Sequence, residues 1–359
     1  MAKTLMKGSE AIAEAAIRAG ARYFFGYPIT PQTEIPEYMS ARMFDPDVNG
    51  CFLQAESEVA AINMIYGAAG TGARAITSSS SPGISLKQEG ISYCAGAMLP
   101  CVILNVMRGG PGLGNIQASQ GDYFQAVKGG GNGDYHLITY APSSIQEAID
   151  IFSFAFDKAE KYRVPVLFLA DGIMAQMMEP VEMPEMVDFK VDPEKKPWAA
   201  TGWKPGDDPA KRAVINSLYI NTEELTVHNN ELQATYREIE KNEVLYEAYL
   251  CEDADYVITA FGTVARIAKS AINELREQGI KVGLFRPITV WPFPYAQLAE
   301  ASKNAKALLD VEANEGQMLQ DVKLAINGAK PVEYFGHCGS LMPTTDEIVA
   351  KILEMKEGK

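Results

Sequence analysis

The sequence predicts an α/β protein, a parallel sheet with helices on both faces followed by a smaller α/β domain. Three observations predict it. Helix-like and strand-like segments alternate at short spacing from the start to about residue 180, and again after Asp253, the pattern of a parallel sheet covered on both sides. CVILNVM at 101–107 and VPVLFLA from Val164 are continuously apolar, as strands buried on both faces are. A chain of 359 residues is also too long for one ordinary core, so two domains are expected.

In order, Ser9 opens a helix that Gly20 ends, and RYFFG at 22–26 is a short buried strand. Thr30-Pro31 reads as a helix start, threonine at the cap and proline at the first position, where its missing N–H costs nothing. A strand at 51–54 leads into an alanine-rich helix at 56–70, and 74–77 is a strand. Ser81-Pro82-Gly83 reads as a tight turn before a helix running to about Ala97. Strands at 101–107 and 137–140, a helix from Ser143 and the strand from Val164 complete a first domain over 1–184. From 185 to 250 the pattern changes. Prolines around and within it (Pro180, Pro184, Pro193, Pro197, Pro205, Pro209) precede one long polar helix, TEELTVHNNELQATYREIEKNEVLYEAYL, the mark of a connector. Over 251–359 the alternation resumes in DADYVITAFG, GIKVGLFRPI, NAKALLDVEAN and KPVEYFG, with helices to Gln278, near Pro294, from Gly316 and at the end.

Composition excludes several classes. Hydrophobic residues make up 47% and charged residues 22%, as in ordinary globular proteins. No run of about 18 apolar residues exists to span a membrane, and MAKTLMKGSEAIAEAA lacks an apolar signal core, so the chain reads as cytoplasmic. The formal charge of −14, without a basic run, repels phosphate backbones and argues against nucleic acid. Any anionic ligand must meet a local device. The five cysteines are scattered without a C-x-x-C and the three histidines lack metal-ligand spacing, so neither a disulfide framework nor a metal or iron–sulfur site is expected in this chain.

Two segments carry chemistry. RGGPGLGN at 108–115 has its glycines at the wrong offsets for a dinucleotide fingerprint. It could be a plain loop, but it places Arg108 at the tip of CVILNVM, where open α/β sheets bind ligands. A guanidinium there can grip a carboxylate through two parallel hydrogen bonds. In ESEVAAINMIYGAAGTGARAITSSSSPG at 56–83, a carboxylate stands at a helix N-terminus ahead of small residues, a strand and a Ser-Pro-Gly segment. Glu58 alone could be a favourable helix start, and Glu56 competes with it.

As a whole, that string resembles the pyrimidine domain of thiamine-diphosphate enzymes, with Glu58, Ala60, Ala61, Gly67 and Ser81-Pro82-Gly83 in the matching arrangement. FGYPITPQTEIPEYM at 25–39 carries the Y-P-I-T-P signature of 2-oxoacid:ferredoxin oxidoreductases, and the chain resembles their alpha subunit throughout, 185–250 least. The resemblance implies a pyrimidine-type domain and a transketolase C-terminal-like domain. It implies that Glu58 hydrogen-bonds N1′ of the aminopyrimidine, that Tyr27, Pro28, Ile29 and Ser81 help hold it, and that Thr30 and Arg108 hold the substrate carboxylate. SSSSPGISLKQEG and MRGGPGLGN point to the branch acting on 2-oxoisovalerate or 2-oxoglutarate.

With no GDG followed by N-N and no cysteine cluster, the resemblance further implies partners. These are a beta subunit for the diphosphate and Mg²⁺, a ferredoxin-like subunit with [4Fe-4S] clusters and a gamma subunit, in a hetero-oligomer that uses coenzyme A and ferredoxin. Asn132-Gly133-Asp134 and Ser119-Gln120-Gly121-Asp122 depart from the family's H-G-D and E-Q-S-D and are expected to shape the pocket. The other readings are a non-oxidative thiamine-diphosphate decarboxylase or transketolase-like subunit, and a non-catalytic two-domain binding module.

Overall fold

The computed structural model of the chain describes residues 3–358, with the side chain of Lys211 outside that description. The first half runs β1 (Thr4–Lys7), α1 (Gly8–Arg18), β2 (Tyr23–Gly26), α2 (Glu34–Arg42), β3 (Cys51–Gln54), α3 (Glu58–Gly70), β4 (Ala75–Ser79), α4 (Ser81–Gly96), β5 (Val102–Met107), α5 (Tyr123–Val127), β6 (Ile138–Tyr140), α6 (Ile145–Tyr162), β7 (Val166–Asp171), α7 (Gly172–Gln176) and β8 (Met178–Val181). The second half runs α8 (Thr222–Asn242), β9 (Tyr246–Tyr249), β10 (Tyr256–Thr259), α9 (Gly262–Glu277), β11 (Val282–Pro287), β12 (Thr289–Trp291), α10 (Tyr295–Ala301), β13 (Ala307–Glu312), α11 (Leu319–Ile326), β14 (Val332–Gly336) and α12 (Thr345–Glu357).

The large sheet has the order β12-β6-β7-β5-β4-β2-β3, parallel except for β12. Its central strands β4, β5 and β7 are buried along their whole length, as the continuous apolar runs require. The chain leaves β2 towards β3 on one side and resumes at β4 on the other. The carboxyl ends of β2 and β4 therefore flank a topological switch point, the place where open α/β sheets hold ligands. A second sheet, β14-β13-β10-β11-β9, is parallel apart from β9, and β1 pairs with β8 in a separate ribbon.

The structure departs from the sequence expectations in four places. Thr30-Pro31 does not begin a helix. Its peptide bond is cis, α2 starts only at Glu34 with Thr33 ahead of it, and 27–33 is a loop fastened from within by buried Gln32. Gln32 donates from Nε2 to the Tyr27 carbonyl (3.1 Å) and accepts at Oε1 from Ser78 Oγ (2.5 Å). Ser81-Pro82-Gly83 is the first turn of α4, not a separate turn. Ser80 supplies the extended cap, and Pro82 falls in the first turn where its missing N–H is harmless. The polar helix stops at Asn242, and Tyr246–Tyr249 becomes an edge strand against β11, with Glu247 bonded to Arg286 and Lys269. Finally, β12 leaves its neighbours in sequence to pair with β6, so the two α/β units interlock. Arg286, on β11, clamps Glu147 of α6 through two bonds of 2.7 and 2.8 Å.

Candidate active site

The functional side chains stand at the carboxyl end of the large sheet. Thr30 lies in the loop after β2, Glu58 opens α3 after β3, Ser81 opens α4 after β4, and Arg108 follows β5. Ser57 caps α3 by accepting from the Ala60 N–H at 3.2 Å, which fixes where Glu58 enters. Glu58 is only 6% exposed. Its carboxylate lies against the backbone of Gly83: a Cβ built there would come within 2.7 Å of Glu58 Oε1 and 2.1 Å of Ser79 Oγ. Glycine at 83 is therefore what lets the first turn of α4 approach the carboxylate. Among the described residues neither Glu58 carboxylate oxygen receives a hydrogen bond. Ser79 Oγ, Ser80 Oγ and Thr77 Oγ1, on and just after β4, are also buried without partners. Orphaned buried polar atoms on this scale are costly in a finished core and mark a place where a ligand completes the bonding.

Arg108 is 5% exposed. Its Nη1 donates to the Thr30 carbonyl at 2.9 Å and its Nη2 to the Leu113 carbonyl at 2.8 Å, while its Nε is buried and unpaired. The guanidinium thus ties the YPITP loop to the glycine loop and keeps donor capacity in reserve. Ser81 is committed: its hydroxyl donates to Asp122 Oδ2 at 2.5 Å and accepts from the Arg108 N–H at 3.0 Å. Asn105 Nδ2 donates to the same Asp122 oxygen at 2.8 Å. Burial pushes the Asp122 carboxyl above the usual carboxylate range, while its bonds from Ser81 and Asn105 and the nearby Arg108 charge oppose that rise. Tyr27 is exposed, Pro28 and Ile29 half-buried beside it, and the Ile29 carbonyl accepts from the Gln32 N–H.

Two cavities open nearby, one at each end of the loop 108–118, and neither is lined by Glu58, Ser79 or Ser80. One, of ≈ 420 Å³, is lined by Ser81, Gly110–Gly112, Asp122 and, from the second unit, Asn314, Glu315 and Cys338. The other, of ≈ 600 Å³, is lined by Thr30, Glu34, Ile116, Gln117 and Ile173. Thr30 and Ser81 hence face different cavities, with Arg108 bonded to both residues between them. Ser119, Gly121 and Asp122 border the smaller cavity, whereas Gln120 stitches the two units together through Phe261 and Ala313. Asn132 and Asp134 do not line either cavity. They lie against α4 and α8, their carbonyls accepting from Ser92 and Gln233.

Comparison with known proteins matches this architecture to a family. Residues 14–248 match pyruvate flavodoxin/ferredoxin oxidoreductase, thiamine diphosphate-binding, and residues 254–348 match pyruvate:ferredoxin oxidoreductase core domain II. The ketoisovalerate oxidoreductase subunit VorB of Methanothermobacter marburgensis is 46% identical over 99% of this chain and 98% of its own length. The chain belongs to the 2-oxoacid:ferredoxin oxidoreductases. The 2-oxoglutarate synthase subunit KorA of the same organism is 35% identical, over 98% of each chain. A solved 2-oxoglutarate:ferredoxin oxidoreductase from Magnetococcus marinus superposes with a TM-score of 0.84 at 24% identity, over 98% of this chain. The chain spans 65% of that solved chain's length. A split-gene transketolase superposes at 0.60 and 15% identity over 97% of each chain, a likeness of fold.

The thiamine-diphosphate-binding domain fits the aminopyrimidine on this chain's own atoms, because a bonded edge needs both donors and acceptors. The uncommitted Glu58 carboxylate and the free Ser79 and Ser80 hydroxyls offer both. Sequence reasoning did not single out Ser79, Gln32 or Asn105. The serine run was the available signal for the first. The other two act through contacts between distant segments and left none.

Proposed function

We propose that this chain is the alpha-type subunit of a coenzyme A-acylating 2-oxoacid:ferredoxin oxidoreductase, converting a 2-oxo acid to acyl-CoA and CO₂ and passing electrons to ferredoxin. The observation that carries the reading is the buried Glu58 carboxylate, left without a hydrogen-bond donor beside orphaned hydroxyls at the switch point of a thiamine-diphosphate-binding domain. When bound, thiamine diphosphate supplies a nucleophilic carbon and an electron sink. Glu58 would hold N1′ of the pyrimidine and exchange a proton with it, a role for which a carboxylate shielded from water is suited. Ser79 and Ser80 would complete the pyrimidine's polar edge, with Tyr27, Pro28 and Ile29 as its wall. Ser81, through Asp122 and the Arg108 peptide, braces that wall. Thr30 and the spare donors of Arg108 would hold the substrate carboxylate.

The substrate we infer is a branched-chain acid of the 2-oxoisovalerate type. Apart from the buried Arg108 guanidinium between the two cavities, spent on the first carboxylate, no Lys or Arg among the described residues lines either one, whereas Glu34, Asp122 and Glu315 do. A second carboxylate, as in 2-oxoglutarate, would meet repulsion there. The higher identity to the ketoisovalerate subunit supports the same choice. The diphosphate and Mg²⁺ fall to a beta subunit, [4Fe-4S] clusters to a ferredoxin-like subunit, and a gamma subunit completes a cytoplasmic hetero-oligomer.

Co-expression with such partners and measurement of ferredoxin reduction tests the proposal. The expected result is dependence on thiamine diphosphate and coenzyme A, with the highest kcat/KM for 2-oxoisovalerate. Preference for 2-oxoglutarate would overturn the substrate reading. Aldehyde release without coenzyme A dependence would overturn the reaction class.

A further inference from the structure

One face of α4 is a seam against α3, made by Gly83, Lys87, Gly90 and Cys94 at helical spacing. Gly83 admits the Glu58 carboxylate, and a Cβ at Gly90 would strike Ile62 at 2.5 Å. A lysine is out of place between them. Lys87 is 0% exposed, and its Nζ reaches one hydrogen-bond acceptor among the described residues, the Glu58 carbonyl at 3.3 Å. Among the described residues no carboxylate oxygen lies within ion-pair distance of it. The other acids nearby in sequence face away: Glu56 is exposed, and Glu89 is exposed and bonded to Tyr93. Burying an ammonium without a partner carries a cost of several kcal/mol in general, and the N-terminus of α3 adds positive rather than negative potential. A methionine would fill the same volume without that cost.

We infer that Lys87 is a positioning residue for the reaction, a buried countercharge that sets the proton affinity of Glu58 from behind. This rests on the role proposed for Glu58 and adds to it. Burial lowers the pKa of the Lys87 ammonium to about 8, and among the described residues the charged group that opposes this, favouring its charged form, is Glu58. By reciprocity, the ammonium favours the ionised form of Glu58. Lys87 touches neither cavity, so it acts through Glu58 and not on substrate.

The coupling can be read in the full chain without any activity. With ¹³C-labelled lysine, the resonance missing from Lys87→Met identifies Lys87, whose titration should fall well below that of the surface lysines. In Glu58→Gln it should fall further, by about one pH unit. Titration together with the surface lysines, or indifference to Glu58→Gln, would overturn the inference. In the assembled complex, Lys87→Met should move the acid limb of the kcat/KM profile upward by a similar amount, and Lys87→Arg should largely restore it. An unmoved limb in Lys87→Met would overturn the role in the reaction even if the titrations agree. If instead Glu58→Gln keeps full activity while the coupling is measured as expected, the proposed function fails and the electrostatic pairing stands.

Discussion

Two buried glutamates show how this molecule separates chemistry from architecture. Glu58 and Glu312 both stand at the carboxyl end of a parallel sheet beside a helix N-terminus, and both are almost wholly buried. Glu312 is saturated: it accepts from Asn314 Nδ2 at 2.8 Å, the Met318 N–H at 2.9 Å and the Leu319 N–H at 3.0 Å. Asn314 passes the network on to the Gln120 carbonyl, so this carboxylate welds the second unit to the first. Among the described residues Glu58 receives nothing comparable, and the nearby hydroxyls of Ser79 and Ser80 are buried without partners. The same side chain in the same kind of place is a joint in one sheet and an open valence in the other. Burial alone does not single out a carboxylate for chemistry; a buried carboxylate without donors, beside orphaned hydroxyls at a switch point, is the better candidate.

The comparison breaks most visibly if the two are exchanged in their effects. Glu58→Gln should cut turnover of the assembled complex by roughly 10²–10⁴-fold, the usual loss for a positioned proton-transfer group, with the melting temperature of the chain lowered only slightly, by the lost pairing with Lys87. A fall in stability with turnover intact would make Glu58 another joint. Arg108→Ala should lower kcat/KM by tens- to thousands-fold for every 2-oxo acid tested, because a charged partner for the shared carboxylate is removed and the tie to Thr30 and Leu113 goes with it. Loss for 2-oxoglutarate alone would mean that Arg108 reads a distal group.

Gly83→Ala sharpens the contrast by steric means. The new Cβ would overlap Ser79 Oγ and crowd Glu58 Oε1, so KM for thiamine diphosphate should rise by about tenfold or more, as displaced catalytic groups generally cost. An unaltered KM would show that the carboxylate does not need that approach. Glu312→Gln should do the reverse: a loss of about 1.5–3 kcal/mol in denaturant stability with little change in kcat per folded molecule.

The smallest effect concerns Asp310, fully buried next to Glu312. Burial and that neighbouring carboxylate push its carboxyl far above the ordinary range, and its Oδ1 accepts from Thr259 Oγ1 at 2.6 Å. A carboxyl whose folded value is raised supports folding while protonated and loses that contribution as pH rises through the raised value. Unfolding midpoints of the native chain should therefore decline as pH rises from the ordinary carboxylate range towards the raised value, and Asp310→Asn should flatten the decline. An identical slope in both would contradict the assignment.

Much of this was legible in sequence. The alternation of apolar runs and helical periods gave both sheets, since strands buried on two faces leave no other pattern. The placement of Glu58, Thr30 and Arg108 at the carboxyl end of the large sheet was readable because each stands within a few residues of a strand's end. What escaped was non-local. Three residues, Thr289–Trp291, are too few to announce that they cross to the other sheet. Tyr246–Tyr249 follow a polar helix with no glycine or proline to break it, and only pairing with β11 makes them a strand. Thr30-Pro31 carried the local chemistry of a helix start, but Gln32 reaching to Ser78, 46 residues away, holds it as a loop. Nothing local in SLKQEG marks Lys87 for burial, and only the packing of α4 on α3 buries it.

On the function proposed, Glu58 moves a proton at the cofactor's pyrimidine. The most direct measurement is hydrogen–deuterium exchange at C2 of thiamine diphosphate bound to the assembled complex, quenched in acid and read by NMR, in the native protein and in Glu58→Gln. The account predicts that exchange slows by roughly 10²-fold or more while the cofactor remains bound in stoichiometric amount. Exchange at the native rate with the cofactor in place would contradict it.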